Sequence, residues 1–465
     1  MAKKLYRCSS CKYETPTYFG VCKQCEDVGT CEEISESNSS SGKKVGMKTN
    51  VSSRVPTTNA ESITSIKPQK HLRLDTGIGE FNRVLGGGLV PGGVVLLAGE
   101  PGAGKSTLLG HLAKSLSDKS NTVLYISGEE SVEQIRLRSE RINSLNDRIL
   151  VAAEKDVTLA IGHIEMHKPD LVIIDSIQTL ASPDEPGRAG GVAQVNEVSS
   201  LLVTVAKQLH IPMVLVGHVT KDGNIAGPRT IEHLVDVVLQ LESADNSPLR
   251  ILRASKNRYG NVDEVGCFEH ADEGLLEVKD PSKLLLGDRT ERTSMSGVVT
   301  CIIMEGIRAM PIEIQALAVT SSLSNPRRVA NGLEHQRSLM VEAITEKHAG
   351  VMIMDRDVFV STVGGIKVKE PGTDLALALA IASSSQDIQI STQAIAIGEL
   401  ELSGEVRAVA YMSQRIKEAV RMGFQELYIP KGASKYVPKG ADIKVYEVKT
   451  IREAVILMKE KSMKK

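Results

Sequence analysis

One stretch, Gly99-Glu100-Pro101-Gly102-Ala103-Gly104-Lys105-Ser106, constrains the fold of this chain more than any other. It fits the phosphate-binding pattern G-x-x-x-x-G-K-[ST]. The apolar run Val94-Val95-Leu96-Leu97-Ala98 before it reads as a buried strand, and Thr107 to Lys114 after it reads as a helix. Strand, glycine loop and helix in that order make a P-loop, which belongs to α/β folds. The glycines let main-chain N–H groups curl around a phosphate without Cβ clashes. Lys105 can reach the β- and γ-phosphates, and the Ser106 hydroxyl can ligate Mg2+. The expected ATP-binding set is Gly99, Glu100, Pro101, Gly102, Ala103, Gly104, Lys105, Ser106 and Thr107.

Further strands supply the rest of a hydrolytic site. Leu171-Val172-Ile173-Ile174 ends in Asp175, the position from which a carboxylate holds the Mg2+ shell through water. Thr122 to Ile126 leads into Ser127-Gly128-Glu129-Glu130. Carboxylates at a parallel strand's carboxyl end sit where open sheets bind ligands. Glu129 is the candidate to polarise the attacking water; the alternative for both glutamates is to favour the dipole of a helix over Ser131–Arg141. Pro212 to Gly217 forms another strand, and His218 at its end is the candidate γ-phosphate sensor. Ser182–Asn196 reads as a mobile polar loop carrying Arg188, followed by a helix over Val195–Leu209. Lys207 and Lys221 could face a phosphate backbone. In Arg253-Ala254-Ser255-Lys256-Asn257-Arg258-Tyr259-Gly260, alternation on a strand puts Lys256 and Arg258 on one face, which is either solvated or turned to a neighbour's nucleotide.

Near the N-terminus, Cys8-x-x-Cys11 and Cys22-x-x-Cys25 read as a four-thiolate structural Zn2+ site. So short a segment has almost no core, and the metal would supply most of its folding energy. Cys31 falls outside the spacing. From Ile34 to Lys70 the chain is rich in Ser, Thr, Asn and Lys and reads as a tether. The expected division is 1–31 zinc module, 32–70 linker, 71–280 ATPase domain and 281–465 a further α/β domain. The 465 residues carry a net charge of −1, so nucleic-acid contact must come from local patches. With no Trp and 3% aromatic residues, a broad base-stacking platform is excluded. No apolar run reaches membrane-span length and no signal core is present, so a cytoplasmic protein without membrane contact is expected.

TGIGEFNRVLGGGLVPGGVVLLAGEPGAGKST, YISGEES, LVIIDSIQT, VGHVTKDG and KNRYG together resemble the RadA/Sms DNA-repair ATPases of the RecA-like superfamily. The resemblance covers nearly the whole chain. It implies that Glu129 is the catalytic carboxylate and that Lys256 and Arg258 act in trans on ATP. It also implies a homo-hexameric ring on single-stranded DNA and branched recombination intermediates, with a RecA-type recombinase filament as partner. Tyr259 stands where that family has Phe, and Phe19 where it has Trp beside the cysteines.

Residues 284–465 resemble the protease domain of Lon. The nucleophile position falls at or next to Asp374 and the lysine position near Ser413, while Lys417 is expected to face solvent. No Ser–Lys dyad can form, which implies a non-proteolytic, ring-closing scaffold. Arg327 and Arg328, with Lys367 and Lys369, offer a candidate surface for duplex DNA. The expected fold is therefore α/β: a RecA-like P-loop core, an N-terminal four-cysteine zinc ribbon and a C-terminal Lon protease-like domain. The expected activity is DNA-dependent ATP hydrolysis driving branch migration. An ATP-dependent Lon-type protease is disfavoured by the missing dyad, and a clock-type autophosphorylating ATPase by the zinc module and KNRYG.

Overall fold

The fold is that of a computed structural model, which describes residues 5–15, 17–18, 20–34, 62, 64, 73–218, 230–243, 248–286, 294–363 and 366–463. The tether expected over Ile34–Lys70 lies almost wholly outside the described residues, as do Phe19 and Lys221. The chain divides into two compact units, Met1–Gln69 and Lys70–Lys465.

The first unit holds β1 (Leu5–Cys8), β2 (Glu14–Thr15) and β3 (Cys31–Ile34), an antiparallel sheet in the order β2-β1-β3. Cys8 pairs with Cys31 in that sheet.

The second unit begins with α1 (Gly79–Leu85), β4 (Val94–Gly99), α2 (Lys105–Asp118), β5 (Val123–Ser127), α3 (Val132–Arg141) and β6 (Ile149–Ala153). It continues through α4 (Val157–His167), β7 (Leu171–Asp175), α5 (Val192–Leu209), β8 (Met213–His218) and α6 (Thr230–Leu234). Then come β9 (Val237–Ser243), β10 (Leu249–Asn257), β11 (Val265–Ala271) and β12 (Gly274–Glu277). These strands form a nine-stranded sheet, β12-β11-β10-β9-β4-β8-β7-β5-β6. From β9 to β6 neighbouring strands run parallel, while β10, β11 and β12 are added antiparallel. The P-loop strand β4 is central and buried at every residue, as a strand covered on both faces must be. Val95 and Leu97 point into one core with α1 and α2; Val94, Leu96 and Ala98 point into the other with α4 and α5.

One boundary needs correction. Helix α5 starts at Val192, so the polar loop expected to run to Asn196 ends earlier. The cause is Gln194, whose buried side-chain amide exchanges hydrogen bonds with the Ser182 main chain at 2.8 and 3.0 Å. A polar residue that reads as loop is instead a tie between loop and helix.

The remaining elements are α7 (Pro281–Leu286), β13 (Ser294–Ser296), β14 (Val298–Glu305), β15 (Arg308–Thr320), β16 (Arg328–Asn331), α8 (His335–Ala349) and β17 (Arg356–Thr362). They continue with α9 (Asp374–Gln386), β18 (Gln389–Ser391), β19 (Ala394–Ala396), β20 (Glu399–Leu400), β21 (Val406–Arg407), α10 (Met412–Arg421), β22 (Glu426–Pro430), β23 (Lys444–Val448) and α11 (Ile451–Ser462). A seven-stranded mixed sheet, β16-β17-β15-β14-β19-β22-β23, is the frame of this lobe. Helix α9 is buried from Asp374 through Ser383. The apolar core here is continuous with the edge of the first sheet: Leu249, Ile251, Val265 and Cys267 belong to the same cluster as Cys301, Ile303 and Met310. Among the described residues, ion pairs that cross the junction join Arg308 with buried Glu80, Arg253 with Glu305 at 2.5 Å, and Arg421 with Asp280 at 3.4 Å. Among the described residues no helix is long and apolar enough to cross a membrane.

Candidate nucleotide and metal sites

The loop between β4 and α2 has the backbone that its glycines foretell. Gly102 has φ 81° and open space beside it, and Gly104 has φ 100°. A Cβ at Gly104 would meet Leu275 of β12 at 2.6 Å, so that position is closed to other residues by packing as well as by φ. The first-turn amides of α2 have no helical acceptor and face out of the helix start, as an anion cradle requires. Lys105 is 5% exposed and its Nζ donates to the carbonyls of Gly99 (2.8 Å) and Glu100 (3.0 Å). Burial pulls its pKa down, and the charges of Asp175 and Glu129 oppose that shift. The cradle and this buried ammonium fit a nucleoside triphosphate.

Strand order brings the second half of the site alongside. β8 lies between β4 and β7. Asp175, at the end of β7, accepts the Ser106 hydroxyl at 2.8 Å and the Tyr125 hydroxyl at 2.5 Å, both on Oδ2. Ser106 and Asp175 thus meet as a hydrated Mg2+ ion needs them to. Glu129 is exposed, and its Oε1 accepts the Ser176 hydroxyl at 2.6 Å. The Ser127 hydroxyl takes the amides of Glu129 (3.2 Å) and Glu130 (3.0 Å), bending the chain so that the two side chains diverge. Glu130 pairs with Arg138, and Ser131 is the helix cap, with Gln134 completing a capping box. Sequence reasoning missed Tyr125, Arg138 and Ser176. A tyrosine in an apolar strand reads as core, and nothing in the spacing tells which phenol finds a carboxylate.

His218 ends β8, and its main chain pairs with Gly99; its side chain lies outside what is described. Lys256 and Arg258 lie at the other end of the sheet. Asn257 pairs with Val237, and Val237 with Val95, four residues before Gly99 on β4. A bulge falls between Ala254 and Lys256, before both residues, and Arg258 is just past the last strand residue. Lys256 and Arg258 both turn to the α6–β9 connection, while Asn257 between them donates to the Val84 carbonyl on α1. Lys256 Nζ donates to the carbonyls of Glu232 (2.6 Å) and Val235 (2.7 Å), and Arg258 pairs with Asp236 at 3.0 Å. Lys207 also points to Asp236, at 3.9 Å, rather than standing alone. Arg188 is exposed.

In the first unit the Sγ atoms of Cys8, Cys11, Cys22 and Cys25 all lie within 4.8 Å of one another. The two turns repeat one geometry. Lys12 donates its amide to the Cys8 carbonyl (3.0 Å) and Glu26 to that of Cys22 (2.9 Å), with φ of 64° and 59°. The Thr30 hydroxyl beside Sγ holds the Cys8 thiol down, at about 6, toward the thiolate that a metal takes. Four convergent sulfurs fit a tetrahedral metal ion. Cys31 is not part of the cluster.

In the C-terminal lobe the residue expected at the nucleophile position is held in a salt bridge. Asp374 is 1% exposed and is bound by Arg337 and the Leu400 amide. Ser413 lies on α10, Lys417 is exposed, and the buried cation of that helix is Arg415, bidentate on Glu370 at 2.7 and 2.6 Å. Of the residues expected to offer a basic surface, Arg327 is exposed and Arg328 is largely covered. Arg327 pairs with Asp357 at 2.8 Å, and Arg328 is spent on Glu342 and on main-chain carbonyls. Lys367 and Lys369 are exposed.

The central parallel sheet, the P-loop and the Ser106–Asp175 contact define an ATP-binding P-loop ATPase with a RecA-like core. A family model described as an AAA domain matches residues 65–224, and one described as subunit ChlI of Mg-chelatase matches residues 327–433. The DNA repair protein RadA of Mycolicibacterium smegmatis is 43% identical over 459 residues, 98% of this chain and 97% of that protein. The Bacillus subtilis RadA is 41% identical over 454 residues, 97% of this chain and 98% of its own. A solved KaiC-like protein from Pyrococcus horikoshii, 18% identical, covers 44% of this chain and 98% of its own at a TM-score of 0.37. The chain belongs to the RadA family of DNA repair proteins.

Proposed function

We propose that the chain is a DNA-dependent ATPase of recombinational repair, a homo-hexameric ring that binds single-stranded DNA and drives branch migration by ATP hydrolysis. The observation that carries this reading is a split site. Lys105, Asp175 and Glu129 gather at the carboxyl end of the parallel strands, whereas Lys256 and Arg258 lie at the amino end. Three residues of strand separate Lys256 from the level of Gly99, and four or more separate Arg258, about 10 and 13 Å at the usual rise. In this reading the two cations serve the nucleotide of a neighbouring subunit, and a head-to-tail contact of this kind makes a ring when its rotation closes.

Each residue then has a role. The loop amides and Lys105 hold the β- and γ-phosphates. Ser106 and, through water, Asp175 hold Mg2+, which neutralises charge on the phosphates. Glu129, oriented by Ser176, takes the proton of the attacking water. Lys256 and Arg258 from the neighbour stabilise the γ-phosphoryl charge, and His218 senses its departure. Cys8, Cys11, Cys22 and Cys25 hold Zn2+ in a module over 1–31, tethered by 32–70 to an ATPase domain over 71–280. The Lon-like domain over 281–465 is a scaffold. Asp374 is already engaged by Arg337, so peptide cleavage has no nucleophile there. Branched intermediates and a RecA-type recombinase filament are the expected partners, in the cytoplasm.

The deciding assay is ATP turnover with and without single-stranded DNA, paired with strand displacement on a forked substrate. DNA-stimulated turnover that vanishes in a folded Lys105→Ala protein is expected. Turnover indifferent to DNA would refute the DNA reading, and ATP-stimulated casein cleavage by the purified protein would replace it with a protease.

A further inference from the structure

Two hydroxyls donate to one oxygen of Asp175, and only that of Ser106 belongs to the phosphate loop. The other is Tyr125, a fully enclosed phenol on β5. Tyr125 pairs with Ile173, two residues before Asp175 on the adjacent strand, so both side chains lie on one face of the sheet. Behind it, Arg138 of α3 donates Nη2 to the phenol oxygen at 3.0 Å and stacks its guanidinium 5.6 Å from the ring centroid. The same guanidinium is anchored by Glu130. Packing alone would be served by Phe, because a buried hydroxyl is costly unless bonded. Here the hydroxyl is bonded on both sides, and a cationic donor on its oxygen strengthens it as a donor in turn. Oδ2 is thus engaged twice, which would leave Oδ1 to accept from the water shell of a cation.

We propose that Tyr125, braced by Arg138, is a positioning residue for the divalent cation of the nucleotide site: its hydrogen bond fixes which Asp175 oxygen meets the cation's water shell. This rests on the reading of Asp175 as the Mg2+ residue. Sequence similarity to an ATPase does not require it, since the P-loop serine alone can orient the carboxylate.

The test uses the full-length protein and Tyr125→Phe, which keeps the ring and removes the hydroxyl. Mn2+ binding in the presence of ADP is followed by electron paramagnetic resonance, and turnover is titrated with Mg2+ at saturating ATP. Tyr125→Phe should weaken Mn2+ binding about 10-fold or more. Turnover should recover at high Mg2+, and binding of a fluorescent ATP analogue in EDTA should stay unchanged. Arg138→Gln should shift metal binding in the same direction, and the double variant should shift it no further than Tyr125→Phe alone, because Arg138 acts through the phenol. Wild-type Mn2+ affinity in Tyr125→Phe overturns the proposal, as does a fully additive double variant. Asp175→Asn separates the two readings. If it too binds Mn2+ normally, Asp175 leaves the metal site; if it alone is impaired, only the tyrosine's role falls.

Discussion

Arg258→Ala is the perturbation with the most to say about assembly. Arg258 is half exposed, paired with Asp236, and begins beyond the strand level of Val95. From there to Gly99 the strand rises about 13 Å, beyond the reach of an arginine side chain. The residue should thus be irrelevant to its own nucleotide and essential to a neighbour's. Removing a cation of this kind costs on the order of 10³-fold or more in kcat. ATP binding, measured with a fluorescent analogue, should change little. The decisive assay mixes Arg258→Ala with Lys105→Ala, each inactive alone. In a randomly mixed head-to-tail ring at equal amounts, about one site in four joins an intact P-loop to an intact Arg258. Turnover near a quarter of the wild-type rate is therefore expected. No recovery at any ratio, with mixed assemblies shown to form, would refute the inter-subunit argument. Arg258→Ala with normal turnover would refute it more simply.

Other consequences are local. Cys22→Ser should release the bound metal, read with a chromogenic chelator, while the melting of the Lys70–Lys465 unit stays unchanged; full metal content would break the four-thiolate assignment. Arg308→Ala leaves the buried Glu80 carboxylate with the Cys267 amide (2.9 Å) and the partly exposed Arg83 (3.5 Å), and should cost about 3 kcal/mol in urea unfolding. A change under about 1 kcal/mol would mean that Arg83 alone suffices for the carboxylate. The Arg327 amide and guanidinium hold Asp357 down, at about 2 against an ordinary 3.8. A lowered carboxylate stabilises the fold fully above pH 4 and loses that effect as the pH falls toward 2. The stability difference between wild type and Asp357→Asn should therefore shrink across that window; a gap that widens on acidification would reverse the sign.

Much of the nucleotide site is legible in one dimension because its chemistry is local. The P-loop needs closely spaced glycines, a lysine and a serine, and the flanking strand must be apolar because both its faces are covered. Asp175 is readable because it ends an apolar run and Glu129 because it follows one closely, and parallel strands deliver their ends to one edge. The cysteine pairs are readable for the same reason: two thiolates per turn is a short-range requirement. The polar segment before α5 misleads because Gln194 spends its amide on a loop that local sequence cannot show to be near. Arg328 misleads likewise, since it reads as free surface until Glu342 arrives from another element.

The P-loop, the paired cysteines and the alternating α/β pattern follow from the sequence alone, since each depends on neighbours a few residues apart. The tertiary structure decided the rest. β8 lies between β4 and β7, so Ser106 meets Asp175 across an intervening strand. The antiparallel strand β10 carries Lys256, with Arg258 just past it, to the end of the sheet opposite their own P-loop, and Tyr125 and Arg138 stand behind Asp175. Strand order and register arise from packing distant segments together, and no local pattern encodes which distant segment that is.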